Sequence, residues 1–252
     1  MEQELREKDL RLSELLGASL EIISQNLRSL LPVFIILAFT GIAQAIITFR
    51  HEKQISLSSG AASIVLSLLM VIAYLALFVM VESYTKNEPL AFGSAVRKAF
   101  SSLISVLWAA ILSTLIIFGM LLLLVVPGII YAVYYIFAQN AVVLRGMKGK
   151  AALDYSKSLV KGRWWRVFWY FTVLIIMTCL PSILYGVAYS FMTKTLAHEM
   201  AKAAMTSMLG VYYGITMTIF FINLDFRRAV PNPAEMQPST SAEAGKQEPA
   251  QG

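Results

Sequence analysis

An all-α integral membrane protein with about six transmembrane helices, paired as three hairpins that each follow a cytoplasmic-side amphipathic helix, is the fold class this sequence predicts. Three observations carry the expectation. The apolar content exceeds what a water-soluble core of this length hides, the apolar residues fall into six separate stretches, and lysine and arginine are distributed unequally between the connecting segments.

The 252 residues are 58% hydrophobic and only 14% charged, with a mean hydropathy of +0.67. Soluble domains carry charge on about a quarter of their residues, so lipid is the expected solvent here. A hydrocarbon core about 30 Å thick takes roughly 20 helical residues per crossing. The apolar stretches run from Leu30 to Phe49, Ala61 to Val81, Leu103 to Leu124, Gly128 to Leu144, Trp164 to Phe191 and Ala203 to Ile222. The third and fourth meet at Val125, Val126, Pro127 and Gly128, and a Pro-Gly pair favours a turn. One helix over all of Leu103 to Leu144 would be about 63 Å long, so a tight hairpin is expected, with a re-entrant fourth segment as the alternative.

Cytoplasmic loops of membrane proteins carry the excess of Lys and Arg. With the N-terminus inside, seventeen of the 21 basic residues fall on inner segments, seven of them between Arg145 and Arg166; Arg50, Lys53, Lys194 and Lys202 fall outside. An even number of spans and two cytoplasmic ends follow. The opening MEQELREKDLRLSEL is mixed in charge and lacks the short basic stretch and cleavage site of a secretory signal, so the first apolar segment is read as a retained anchor.

Three stretches that lead into hairpins share one design, which reads as a threefold repeat over about 12–82, 89–144 and 150–226 within a membrane domain of 1–228. Leu12, Leu15, Leu16, Leu20, Ile23 and Leu27 give the first an apolar side at helical spacing. Phe92, Val96, Ala99 and Phe100 do so in the second, and Leu153, Leu159 and Val160 in the third, where Lys157 and Lys161 are basic. At an offset of 60 residues Ala91 falls on Ala151, Arg97 on Lys157 and Leu107 on Val167. Residues 229–252, rich in Pro, Ser, Ala, Glu and Gln, predict a disordered cytoplasmic tail.

The net charge of +6 is spread between apolar segments and forms no nucleic-acid-binding motif; anionic lipid headgroups are the expected counter-charge. The one cysteine, Cys179, allows no intramolecular disulfide and no Cys-based metal site. His51 and His198 fall on outer loops outside any nucleophile, carboxylate or metal pattern, and His198-Glu199-Met200-Ala201-Lys202 lacks the second histidine of the helical zinc-protease motif. No catalytic, cofactor or metal residue is assigned. No charged residue lies well inside a span, Glu82 and Asp225 standing only at inner ends. That weakens an ion-coupled transporter, which needs such groups. Gln44, Gln139, Asn140 and Asn223 are the strongest polar groups within spans and are expected to hydrogen-bond neighbouring helices. Gly119, Gly186, Gly210 and Gly214 are expected to allow close packing.

The most unusual local sequence is Lys161-Gly162-Arg163-Trp164-Trp165-Arg166, at a predicted inner interface where indoles favour the headgroup level and cations bind phosphate. With Lys157 these residues, Lys161, Arg163, Trp164, Trp165 and Arg166, form the candidate lipid or partner interface. An ordinary depth-fixing anchor would use the same residues.

The run from Val126-Pro127-Gly128-Ile129-Ile130-Tyr131, through Ala141-Val142-Val143-Leu144, to Ser158-Leu159-Val160-Lys161-Gly162-Arg163-Trp164-Trp165-Arg166-Val167-Phe168 resembles the membrane domain of bacterial glycerophosphoryl diester phosphodiesterases and the related uncharacterised YciC-like inner-membrane proteins. The resemblance implies a polytopic membrane domain without assigned chemistry. Six spans leave no room here for a soluble catalytic barrel of about 250 residues, so no phosphodiesterase activity is carried over. The expected function is a non-catalytic inner-membrane protein that engages anionic lipid or a membrane partner, a second copy included. The alternative is a transporter or permease subunit for an apolar or amphipathic substrate.

Overall fold

The computed structural model describes residues 5–6, 9–50, 57–190 and 195–229. His51 and, apart from Ala229, the predicted tail lie outside them. The described residues form no strand. Their main helices are α1 (Leu12–Arg50), α2 (Leu57–Thr85), α3 (Phe92–Leu123), α4 (Val125–Tyr134), α5 (Ala138–Arg145), α6 (Lys150–Val160), α7 (Trp164–Ser190) and α8 (Leu196–Ala229). Six stretches are long and apolar enough to cross a membrane: one in each of α1, α2, α3, α7 and α8, and one formed jointly by α4 and α5.

The three predicted leader segments join their spans in three ways. In α1 leader and span are one helix kinked at Asn26 (φ −117°, ψ 21°), whose side-chain amide donates to the Ile22 carbonyl at 3.1 Å. Pro32 follows, unable to donate its own backbone bond. In α3 the join has no break, and a helix of about 48 Å overshoots the hydrocarbon thickness. At the third join the chain separates fully: Gly162 takes φ +84°, a left-handed conformation in which glycine has no steric penalty, and α7 starts two residues later.

The apolar sides also differ from the predicted ones. Leu15, Ile22, Leu30, Val33 and Leu37 line the buried face of α1, whereas Leu20 and Leu27 are exposed. In α3, Ala95, Ala99, Val106 and Ala109 are buried and Phe100 faces outward. The third segment matches its pattern, with Leu153, Leu159 and Val160 all buried.

Helix α8 is the axis of the bundle: 61% of its most apolar window is buried, against 11% for α3 and α7, which form the periphery. It packs against α1, α2 and α7. Polar contacts stitch it to α1, with Ser207 Oγ donating to the Leu37 carbonyl at 3.1 Å, Thr216 Oγ1 to Ser19 Oγ at 2.8 Å and Tyr212 to the Leu16 carbonyl at 3.3 Å. Such bonds contribute about 0.6 kcal/mol each between membrane helices, so close packing carries more of the association. Gly41 permits it: a Cβ there would stand 2.9 Å from Ser207 Oγ. Of the glycines expected to serve packing, Gly210 and Gly214 lie against Tyr74 and Leu77, while Gly119 and Gly186 face open space.

Replacing Gly41 by Leu is therefore expected to push α1 off α8 and destabilise the protein by about 1–3 kcal/mol. Thermal unfolding of the detergent-solubilised protein measures this, with Gly119→Ala, in open space on α3, as the comparison expected to hold or raise the midpoint.

Candidate functional site: a buried charge cluster and a basic aromatic edge

Glu82 in the last turns of α2, Arg145 at the end of α5 and Asp225 near the end of α8 converge at one end of the bundle. Arg145 Nη1 donates to Glu82 Oε1 at 2.5 Å; its Nε donates to Asp225 Oδ2 at 2.7 Å, and Nη2 pairs with the same oxygen. A planar guanidinium with five donors serves two carboxylates at once, which a lysine could not do with the same geometry. The side chains are 6%, 22% and 11% exposed for Glu82, Arg145 and Asp225, so pairing is what makes their burial tolerable. Lys86 reaches Glu82 Oε1 at 3.0 Å from the more exposed side.

Tyr155 on α6 donates its hydroxyl to Asp225 Oδ1, and Arg228 lies over its ring at 4.7 Å. Burial, together with the Asp225 carboxylate accepting its proton, pushes the Tyr155 phenol up to about 12. The group stays a neutral donor across the physiological range. Its neighbour Ser156 holds the interruption between α4 and α5: Ser156 Oγ donates to the Tyr134 carbonyl at 2.7 Å and accepts from the Phe137 amide at 3.2 Å. Both backbone groups are freed by the break and would be unsatisfied in an apolar interior.

The candidate interface residues are distributed around the junction of α6 and α7. Lys157 lies over the rings of Tyr131 and Tyr134, at 5.4 and 5.6 Å. Lys161 is exposed. Arg163 and Arg166 both turn to Asp9 of the N-terminal segment, at 4.0 and 3.1 Å, where Arg227 joins them at 3.4 Å. Arg166 also donates to the Leu10 carbonyl at 2.6 Å. Trp164 is half-buried, stacked on Phe168 with its indole N–H directed to the Ile130 carbonyl at 3.4 Å, while Trp165 and Trp169 are exposed. Arg163 and Arg166 thus share one carboxylate, and Lys157, Lys161 and the two tryptophans point elsewhere along the same edge.

Of the four span amides, Asn140 donates to Thr218 Oγ1 at 3.3 Å and Asn223 to the Leu5 carbonyl at 2.9 Å. Among the described residues Gln44 Oε1 is buried without a partner, and Gln139, which is exposed, bonds to no side chain or backbone group. His198 contacts Thr195 and Tyr189. No group of three or more His, Cys, Asp or Glu among the described residues could hold a metal ion.

Sequence reasoning noted Glu82 and Asp225 but counted Arg145 only as a loop charge. The available signal was position, since each of the three closes an apolar span. Replacing Arg145 by Met strands two buried carboxylates and is expected to cost about 3–5 kcal/mol. Adding Glu82→Gln and Asp225→Asn should recover most of that loss. Thermal or denaturant unfolding in detergent checks both.

No curated protein and no solved structure matches the chain. A family model matches residues 87–224, from just before α3 to near the end of α8, and so spans Arg145, Ser156 and the basic aromatic run from Lys157 to Trp169, but not Asp9, Asp225 or Arg227. By that match, which covers more than half of its length, the chain belongs to the family described as a domain of unknown function, DUF7847.

Proposed function

We propose that this is a non-catalytic multi-pass membrane protein whose basic aromatic edge engages anionic lipid headgroups, with a role in organising the envelope. The observation that carries the reading is a concentration of cations at one edge: among the described residues, Arg163 and Arg166 stand 4.0 and 3.1 Å from Asp9, partly exposed, where the basic run Lys157 to Arg166 passes from α6 to α7. Guanidinium groups pair with phosphate as readily as with carboxylate. Lys161, Trp165 and Trp169 are exposed in the same stretch of sequence, and cations with indoles are the combination expected at a headgroup layer.

In this reading the end of the bundle holding Arg145 faces the cytoplasm of a bacterial inner membrane, together with both termini. The spans form three hairpins, each entered from a surface segment. Packing of α1 on α2, α3 on α4 and α7 on α8 supports that pairing. A membrane partner or a second copy would use the same edge.

Replacing Lys157, Lys161, Arg163 and Arg166 by Gln is expected to reduce anionic headgroup affinity by roughly tenfold or more, at about 1 kcal/mol per surface cation. Phospholipid analysis of the purified protein measures it. Asp9→Asn, which frees cations without removing any, should retain or raise phosphatidylglycerol enrichment. Unchanged enrichment in the fourfold variant would sink the proposal.

A further inference from the structure

A second feature lies deeper, within the spans. Helices α2, α3, α7 and α8 and the break between α4 and α5 enclose a cavity of about 540 Å³, a volume typical of small-ligand sites. None of its lining residues is charged. The wall is mostly apolar, with its amides concentrated at the break, where Gln139 and Asn140 line it. Asn140 is buried and commits one amide proton to Thr218, whereas Gln139 is exposed at the cavity mouth and its side chain bonds to no group among the described residues.

The break supplies backbone donors as well. The first amides of any helix lack an intrahelical acceptor. At the start of α5, those of Ala138 and Ala141 bond back to the Tyr135 and Phe137 carbonyls. Those of Gln139 and Asn140 find no backbone acceptor across the break among the described residues. Interrupted membrane helices offer such donors to a ligand's polar end.

From this end the cavity leads outward. A groove of about 420 Å³ between α7 and α8 shares Gly210 and Tyr213 with it and continues along Cys179 and Ile183, away from the charged end of the bundle. Gly210 admits the Tyr74 hydroxyl, which packs on it at the junction of cavity and groove. Amide donors at one end and, at the other, a mostly apolar groove whose Thr178, Ser182 and Thr206 hydroxyls are bonded to carbonyls of their own helices describe a site for an elongated amphipath.

We infer that this cavity binds one neutral lipid whose polar end carries a carbonyl oxygen, seated at Gln139 and Asn140 with its hydrocarbon chain in the α7–α8 groove. An ionised headgroup at this depth would lack a counter-charge, and burying it would be strongly unfavourable. The donors at the break call for an acceptor. Glyceride esters and quinones share that chemistry.

The test is native mass spectrometry of the full-length protein in detergent with dioleoylglycerol, a short-chain menaquinone or dioleoylphosphatidylglycerol added separately. A one-to-one adduct with dioleoylglycerol or menaquinone, retained at collision energies that strip phosphatidylglycerol, is expected, and which of the two binds identifies the source. Ala110→Phe, which fills the cavity, and Gln139→Leu, which keeps its volume but removes the amide, should each weaken the adduct at least tenfold. If Ala110→Phe does not fold, Gln139→Leu decides. Failure of both neutral lipids to outlast phosphatidylglycerol, or an adduct undiminished in the folded variants, overturns the inference. The fourfold variant of the basic edge should bind the neutral lipid normally, so this site and the headgroup edge fail independently.

Discussion

The arrangement of the charged end depends on one guanidinium. Arg145 stands 63 residues from Glu82 and 80 from Asp225 in sequence, yet all three must meet at one depth, because an unpaired charge costs several kcal/mol there. That requirement sets the axial register of α2, α5 and α8. Apolar packing alone would fix it weakly, since lipid-facing and helix-facing side chains are chemically alike. Helix α6 is drawn into the same arrangement through two consecutive residues, Tyr155 binding Asp225 and Ser156 bridging the break in the fourth span. A segment that looks like a surface helix by composition is therefore a bracket between the charge cluster and the broken helix.

How much of this was legible follows from the range of each interaction. Hydropathy is summed over some twenty neighbouring residues, and the described helices follow the six apolar stretches to within a few residues; the chain breaks at Leu124, ahead of the expected Pro127-Gly128 turn, so that both of those residues fall in the first turn of α4. A side chain at Gly128 would approach Leu121 to 2.9 Å, so that glycine lets the start of α4 pack on α3. Burial direction was harder to read. Leu20 and Leu27 are as apolar as Leu15, but α8 covers one side of α1 and leaves the other exposed, and in lipid an exposed leucine carries little penalty. Periodicity that identifies a core face in water loses much of its meaning when the solvent is itself apolar. The third segment matched because its far side carries Lys150 and Asp154, which are exposed and have to reach a polar phase.

The fourth span illustrates the same limit from the backbone side. Nothing in Tyr134-Tyr135-Ile136-Phe137-Ala138 breaks a helix by propensity: there is neither proline nor glycine. The interruption persists because Ser156 supplies the donor and acceptor that the lost turn would have provided, and that serine lies about twenty residues away. Of the candidate interface, the residue types and the level were legible, but the carboxylate of Asp9 was not. Its approach to Arg163 and Arg166 depends on the N-terminal segment docking against α7 and α8, where Arg166 and Tyr170 both donate to the Leu10 carbonyl.

Two electrostatic systems therefore sit near the same end of the bundle and answer to different conditions. Around Arg145 two carboxylates face a guanidinium and a lysine, so formal charge nearly cancels, and burial shields the pairs from mobile ions. Around Asp9 the contacts to Arg163, Arg166 and Arg227 join side chains that are 23–44% exposed, so solvent ions reach them. A balanced, dry cluster gains nothing from an external anion and would have to break pairs to accept one. An exposed cluster can change partners at little cost, and salt screens it. The difference in burial separates a contact that holds the bundle together from one that solvent and its ions reach.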